Sequence, residues 1–312
     1  MKILIFGAGG VGSLLGGFLS RMGHDVSLLG RSLPMDAIRK KGLKITGIWG
    51  DYHIKALEVY DSLETLQAKN IQFDFIFLTV KSFDTQKAVE EILTLMREKT
   101  MLVSFQNGLG NIESILEKIN ADQFLAGRII TGVAAAPGEV KVTVTADAIA
   151  IGALPGAKPK VSAVMAAQVL SNAKIPARAV TNILTFIWAK VIYNCALNGI
   201  CALHEMPYGK ILETQETKDW MQAIVKECYA VAEVKGISLD PANADAYNEL
   251  LIQTLIPRTA SHYPSMLQDL RKGKRLEIDA MNGAICRLGL ELGIATPANE
   301  RLVAAIRKKV LS

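Results

Sequence analysis

Residues 1–31, MKILIFGAGGVGSLLGGFLSRMGHDVSLLGR, decide how the rest of the chain is read. Ile3 to Phe6 is an apolar run too brief for a helix and suited to a buried parallel strand. It leads straight into Gly7-Ala8-Gly9-Gly10-Val11-Gly12, a G-x-G-x-x-G. Val11, Leu14, Leu15, Phe18 and Met22 then recur at helical spacing, Gly23 ends that helix, and Val26 to Leu29 supplies a second apolar strand. The glycines act in different ways. Gly7 permits the tight turn, Gly9 lets backbone come close to a pyrophosphate, and Gly12 lets the helix pack on the strand. The helix N-terminus presents unused N–H groups and a positive dipole end to the phosphates. The flanking strands and helix give an otherwise weak motif its dinucleotide-binding context. Gly7, Ala8, Gly9, Gly10, Val11 and Gly12 are therefore the expected cofactor-binding residues.

The end of the second strand bears on which dinucleotide is taken. An NAD enzyme places Asp or Glu there for the ribose 2′-hydroxyl. This chain has Gly30-Arg31-Ser32. A guanidinium fork pairs well with a phosphate dianion, and Ser32 can add a hydroxyl donor. NADP(H) is the expected cofactor; the competing reading makes Arg31 a solvated surface charge.

A chain of 312 residues, half of them hydrophobic and 21% charged, has room for about two domains with large cores. The net charge of +5 is spread over both halves, without a basic block that would mark a nucleic-acid footprint. The mild positive balance suits anionic small molecules. Cys195, Cys201, Cys228 and Cys286 lie in apolar surroundings without metal-ligand spacing, and read as reduced core residues of a cytoplasmic protein. The N-terminal apolar stretch imitates a signal peptide, but six glycines among residues 7–17 make a poor membrane helix. Residues 183–203 are also mostly apolar, yet Lys190, Asn194 and Asn198 interrupt them, so no membrane span is expected.

Downstream, residues 43–60 read as short strands around Gly47 and Gly50. Phe73 to Val80 reads as a buried strand, 84–97 as a helix, Met101 to Phe105 as a strand, and a helix starts near 112. Leu125 to Ala135 and Glu139 to Ile151 are further strands, 160–173 a helix, and Lys174 to Val180 a last short strand. This alternation predicts an α/β, doubly wound sheet with ligands at the C-terminal strand ends, where Lys81 and Asn107 fall. Helices are expected at 182–203, 214–236, 241–256, 280–292 and 297–310. The expected domains are 1–180, which binds the nucleotide, and 181–312, which is all-α.

Lys190, Asn194 and Asn198 are spaced i, i+4, i+8 and share one face of an otherwise apolar helix. Such a stripe must find partners or water. It either lines a polar cleft facing the cofactor or forms a structural ion pair with two amides satisfied by neighbouring backbone. Met281, Ile285, Leu288 and Leu292 mark the buried face of a helix that starts near Glu277. The residues alone favour simple dipole complementarity for that acid, and make the basic cluster at 271–275 a solvated loop.

In their order and spacing, GAGGVG at 7–12, Arg31, VKSFDT at 80–85, FQNGLGN at 105–111, WAKVIYNCALN at 188–198 and SMLQDLRKGKRLEID at 265–279 make the chain resemble the ketopantoate reductases (2-dehydropantoate 2-reductases) over nearly its whole length. One departure is Gly132-Val133-Ala134-Ala135-Ala136-Pro137, where many relatives carry Thr or His. The resemblance implies a Rossmann-type N-terminal domain and an all-α domain of the 6-phosphogluconate dehydrogenase C-terminal-like kind. It also implies NADPH-dependent reduction of ketopantoate to (R)-pantoate, a step toward pantothenate and coenzyme A. Lys190 matches the family's catalytic lysine, and Glu277 the acid that binds the substrate's hydroxyl groups, supports the catalytic centre and lies at the cofactor. Asn107, Asn194, Asn198 and Ser265 match substrate-contacting positions. Arg31, Lys81, Ala135 and again Asn107 match cofactor-contacting ones. The expected partner is a small-molecule substrate, with no metal, nucleic acid or membrane, and a homodimer is compatible with the sequence. Two rivals stand beside this reading: a reductase of another branched 2-keto acid, and a non-catalytic NADP(H)-sensing protein.

Overall fold

β1 (Lys2–Phe6), α1 (Gly10–Arg21) and β2 (Asp25–Leu29) form the opening unit, with Ile3 to Phe6 paired in parallel against Val26 to Leu29. Leu14, Leu15 and Phe18 are buried, so the helical spacing in the sequence is the face that packs on the sheet. Each such side chain contributes about 1.5–3 kcal/mol by leaving water. The structure is a computed structural model that describes residues 1–311, in two compact units: Met1–Gln106 with Asn111–Ile183, and Asn107–Gly110 with Leu184 onward.

In the first unit the chain continues through α2 (Ser32–Lys41), β3 (Leu43–Gly47), β4 (Tyr52–Ile54), β5 (Glu58–Tyr60), α3 (Leu63–Gln67), β6 (Phe75–Leu78), α4 (Thr85–Leu93) and β7 (Met101–Ser104). Then come α5 (Asn111–Leu116), β8 (Phe124–Ala136), β9 (Glu139–Gly152), α6 (Lys160–Asn172) and β10 (Ala177–Ala179). All strands join one sheet, ordered β4-β3-β9-β8-β7-β6-β1-β2-β5, with β10 beside β9. From β8 across to β5 every pairing is parallel. The β8–β9 and β3–β4 pairings are antiparallel, so the Rossmann-type sheet is extended into a mixed one. β1 lies between β2 and β6, which makes its C-terminal end the switch point where a doubly wound sheet takes its ligand.

Three local expectations change. Helix α2 occupies residues that the periodicity left unassigned; its Pro34 is harmless because it sits in the first turn. The helix expected over 84–97 stops at Leu93, where the Thr94 hydroxyl donates to the Glu91 carbonyl at 2.7 Å and competes with helical continuation. The strand expected over 174–180 is only Ala177–Ala179.

The second unit is helical: α7 (Ile183–Leu203), a 3-10 turn over Tyr208–Glu213, α8 (Gln215–Val234), α9 (Ala244–Leu250), α10 (Ile256–Arg258), α11 (Ser265–Arg271), α12 (Asn282–Leu292) and α13 (Pro297–Leu311). By length and composition α7 could cross a membrane, but Trp188, Val191, Ile192, Cys195, Leu197 and Ile200 belong to the core of this unit. The four cysteines are free and three are buried; burial pushes the Cys201 thiol up to about 12, leaving it unreactive. The helix expected over 241–256 starts at Ala244, where Asn243 Oδ1 accepts from the Ala246 N–H at 2.9 Å, and widens into a π-helical turn over Leu251–Leu255. The helix expected from 280 begins at Asn282 after a 3-10 turn over Ile278–Ala280, and Leu288 and Leu292 are only half-buried.

Candidate active site

In the first unit the glycine loop is built against the end of β6. Gly7 has φ +106°, and a Cβ there would stand 2.6 Å from the Val80 nitrogen, so no other residue fits the turn. The loop is tied down by Gly7 and Ala8 N–H groups donating to the Leu29 carbonyl at 3.0 and 2.8 Å, and by the Thr79 hydroxyl donating to the Gly7 carbonyl at 2.8 Å. Gly12 is enclosed: a Cβ would meet Gly7 O at 2.5 Å and Thr79 Oγ1 at 2.6 Å. Gly9 is the opposite case. It is exposed, and a Cβ there would find only Gly7 O, at 3.9 Å. The first turn of α1 has no side-chain cap and no acidic residue, which leaves its N–H groups for an anion. A backbone cradle closed behind and open in front fits a pyrophosphate.

Ala135, Arg31 and Lys81, three more of the expected cofactor residues, belong to this same unit. A Cβ on Gly10 would lie 3.3 Å from the Ala135 Cβ, so Ala135 borders the loop. Arg31 stands just before α2 with its side chain 84% exposed, its guanidinium 3.9 Å from Asp84 Oδ2. A pair that open and that long contributes little, so Arg31 can turn to a phosphate at small cost. Lys81 precedes the 3-10 turn Ser82–Asp84 after β6.

A polar group at the ends of β6 and β7, which periodicity did not single out, fixes those loops. Gln106 Nε2 donates to Thr85 Oγ1 at 2.7 Å and to the Val80 carbonyl at 3.2 Å, and Thr85 Oγ1 lies 2.9 Å from Asn111 Oδ1. Its sequence signals were its place at strand ends and its membership of the VKSFDT and FQNGLGN stretches.

In the second unit Lys190 and Asn107 come together: the ammonium donates to Asn107 Oδ1 at 2.5 Å. Asn107–Gly110 is seated by the Leu109 N–H, which donates to the Ala280 carbonyl at 2.7 Å. Gly108, at φ +86°, allows that contact, since a Cβ would lie 2.3 Å from the same oxygen. Three residues before Ala280 is Glu277, only 6% exposed. A carboxylate that merely complements a dipole stays in water; a buried one needs partners to offset its desolvation. Burial thus adds a demand that dipole complementarity at a helix start does not by itself meet.

Asn194, one turn after Lys190, is 9% exposed, and its amide makes no hydrogen bond among the described residues. Unlike the Asn248 and Asn282 oxygens, its amide atoms are not sealed from solvent, so they stay open to a ligand. Asn198 is 2% exposed, with Oδ1 accepting from the Tyr208 hydroxyl at 2.7 Å and Nδ2 3.9 Å from Met281 Sδ. Neither amide is satisfied by helix backbone. Ser265 is exposed at the start of α11, with no hydrogen bond from its hydroxyl. Among the described residues no group of three His, Cys, Asp or Glu could hold a metal ion.

The arrangement offers a backbone cradle for a dinucleotide and, on the helical unit, an ammonium held by an amide with an unpartnered amide one turn away. That set can polarise a carbonyl and hold a carboxylate. Residues 3–156 match the model described as "Ketopantoate reductase PanE/ApbA", and 182–310 that described as "Ketopantoate reductase PanE/ApbA C terminal". The 2-dehydropantoate 2-reductase of Aquifex aeolicus is 36% identical over 100% of this chain and 97% of its own length. Among solved structures, a PanE/ApbA family ketopantoate reductase from Ralstonia eutropha is similar with a TM-score of 0.86 and 30% identity, over 99% of this chain and 98% of that one. D-mandelate dehydrogenase in its ternary structure with NADH and anilino(oxo)acetate is similar with a TM-score of 0.87 and 28% identity, again over 99% and 98%.

Proposed function

This chain belongs to the ketopantoate reductase family of oxidoreductases, and from that premise we propose that it reduces the 2-keto group of 2-dehydropantoate to give (R)-pantoate with NADPH, in the cytoplasm, on the route to pantothenate and coenzyme A. The observation that carries this reading is the Lys190–Asn107 contact, with the unpartnered Asn194 amide one helical turn on.

When bound, NADPH supplies the hydride. Gly7 to Gly12 would hold its pyrophosphate, Arg31 its 2′-phosphate, and Lys81, Ala135, Asn107 and Glu277 would complete its contacts. Residues 1–180 act as the nucleotide-binding domain and 181–312 as the substrate domain.

The remaining chemistry falls to side chains. Reduction of a ketone leaves negative charge on its oxygen, and an ammonium placed there both stabilises that charge and donates the proton. Lys190 does this, with Asn107 Oδ1 fixing the direction of its Nζ. Asn194 and Asn198 donate to the keto acid's oxygens without adding a competing charge. Glu277 accepts from the substrate's hydroxyl groups, and Ser265 adds a hydroxyl contact. Fixing the reactants in this way supplies up to about 7–11 kcal/mol of the barrier in favourable cases.

A second reading is favoured by the likeness to D-mandelate dehydrogenase: the same residues acting on another 2-keto acid, with NADH in place of NADPH. Steady-state oxidation of NADPH and NADH against ketopantoate, 2-ketoisovalerate and benzoylformate separates the two. The proposal requires the highest kcat/KM for ketopantoate with NADPH, and preference for benzoylformate or NADH overturns it. Binding of NADPH with no turnover of any keto acid would favour a non-catalytic sensor.

A further inference from the structure

Tyr208 lies ten residues beyond Asn198 and outside every motif read in the sequence, yet its hydroxyl meets the Asn198 amide at 2.7 Å. The chemistry of the neighbours fixes which way that amide points. A thioether sulfur accepts hydrogen bonds and cannot donate them. Met281 Sδ, 3.9 Å away, therefore faces the amide nitrogen, the amide oxygen faces Tyr208, and the phenol is the donor. Burial, reinforced by Tyr193 and Cys201, keeps that phenol protonated far above its ordinary range, so the donor is always present.

The Tyr208 ring is itself held. Tyr193 packs edge-on at 5.7 Å and the His262 ring lies at 5.2 Å, while the Tyr208 N–H donates to the His262 carbonyl at 3.1 Å. Next to it, Gly209 N–H donates to the Ala260 carbonyl at 2.9 Å. A hydroxyl carried on so fixed a ring defines one orientation for the Asn198 amide. Of the two N–H bonds on Asn198 Nδ2, the weak sulfur acceptor takes at most one, and nothing else among the described residues takes the other. The Asn194 amide, one turn earlier on the same helical face, is also unpartnered.

We propose that Tyr208 is a positioning residue for recognition of the 2-keto acid, pinning the Asn198 oxygen so that the amide presents N–H donors to the substrate carboxylate. This rests on the proposed function, in which Asn198 contacts substrate. Without the hydroxyl, the amide is free to turn its oxygen toward the anion, and binding weakens.

The test compares Tyr208→Phe, Asn198→Ala and the double variant, reading KM and kcat with whichever 2-keto acid the wild-type chain turns over. Failure of ketopantoate as substrate and failure of the Tyr208 assignment thus appear as separate results. Tyr208→Phe should raise KM about tenfold, the scale of one misdirected hydrogen bond to a charged group. Its kcat should stay within about twofold of wild type, and NADPH affinity, measured by calorimetry, should not change. In the Asn198→Ala background the same change should add nothing, because Tyr208 acts only through that amide. Unchanged KM in Tyr208→Phe, or additive effects in the double variant, overturns the proposal. Asn198→Asp gives an independent reading should Tyr208→Phe not fold. It keeps an acceptor for Tyr208 but replaces the donors with oxygen, so KM should rise more than about tenfold with a near-native melting temperature. Normal KM there refutes the donor orientation.

Discussion

Replacing Gly9 and Gly12 by alanine separates what the glycine loop does for the fold from what it does for the cofactor. At Gly12 the new methyl would sit 2.5 Å from Gly7 O, 2.6 Å from Thr79 Oγ1 and 2.9 Å from Ile5 Cγ2, all well inside contact distance. Relieving that overlap means shifting the helix off the strand, which costs about 1–3 kcal/mol. Losing the 2.8 Å Thr79–Gly7 hydrogen bond costs about 1 kcal/mol more. For a unit of this size each kcal/mol is worth roughly 2–4 °C, so Gly12→Ala should lower the apo melting temperature by roughly 5–15 °C. At Gly9 the nearest atom to a new Cβ is 3.9 Å away, and φ −80°, ψ −156° is open to alanine. Its stability should change by less than about 0.5 kcal/mol. The methyl would, however, project where the pyrophosphate must approach, so NADPH affinity should fall at least about tenfold, or about 1.4 kcal/mol. Thermal melts without nucleotide and calorimetric titration with NADPH read the two effects independently. Wild-type affinity in Gly9→Ala would place the phosphates elsewhere, and an unchanged melt in Gly12→Ala would refute the close approach of helix and strand.

Lys190→Ala should lower kcat by at least about a hundredfold, the scale of a positioned acid. Partial rescue by added primary alkylamines and unaltered NADPH affinity would accompany that loss, while near-normal turnover removes Lys190 from the mechanism. Arg31→Asp should weaken NADPH by roughly 10–100-fold, as loss of charge-assisted bonds to a phosphate implies, with NADH little affected; equal losses for both nucleotides undo the 2′-phosphate assignment. Burial holds His262 below its ordinary value of 6.5, so the folded state resists a proton that the unfolded chain accepts. Stability should then be full above pH 6.5 and fall as the pH drops through 6.5 toward the folded value, where the loss is complete. His262→Asn should flatten that fall in thermal melts. His24, lowered by burial and the N-terminal ammonium, remains in both proteins and cancels in the comparison; identical slopes would exclude His262 as the source.

The features legible in the linear chain are local ones. The strand–glycine–helix–strand unit is written in apolar runs of strand length, a 3.6-residue repeat and glycines at the turns, all set within some thirty consecutive residues. The stripe Lys190, Asn194, Asn198 follows from helical spacing alone, and so does the buried face of α1. Features that only tertiary packing decides are non-local. The sequence reads β8 and β9 as strands but carries no partner for them, so it could not show that they pair antiparallel or that β3 joins β9. Asn107–Gly110 clusters with a helical unit whose next residue is Leu184, because the Ala280 carbonyl captures Leu109 and Gly108 lacks the Cβ that would block it. Glu277 looks like an ordinary acid at a helix start until its surroundings bury it, and Asn198 looks like an amide of no fixed direction until Tyr208 takes its oxygen. Backbone torsions and turn residues act within a few positions of themselves, whereas burial and hydrogen-bond direction are set by atoms that the chain brings in from distant positions.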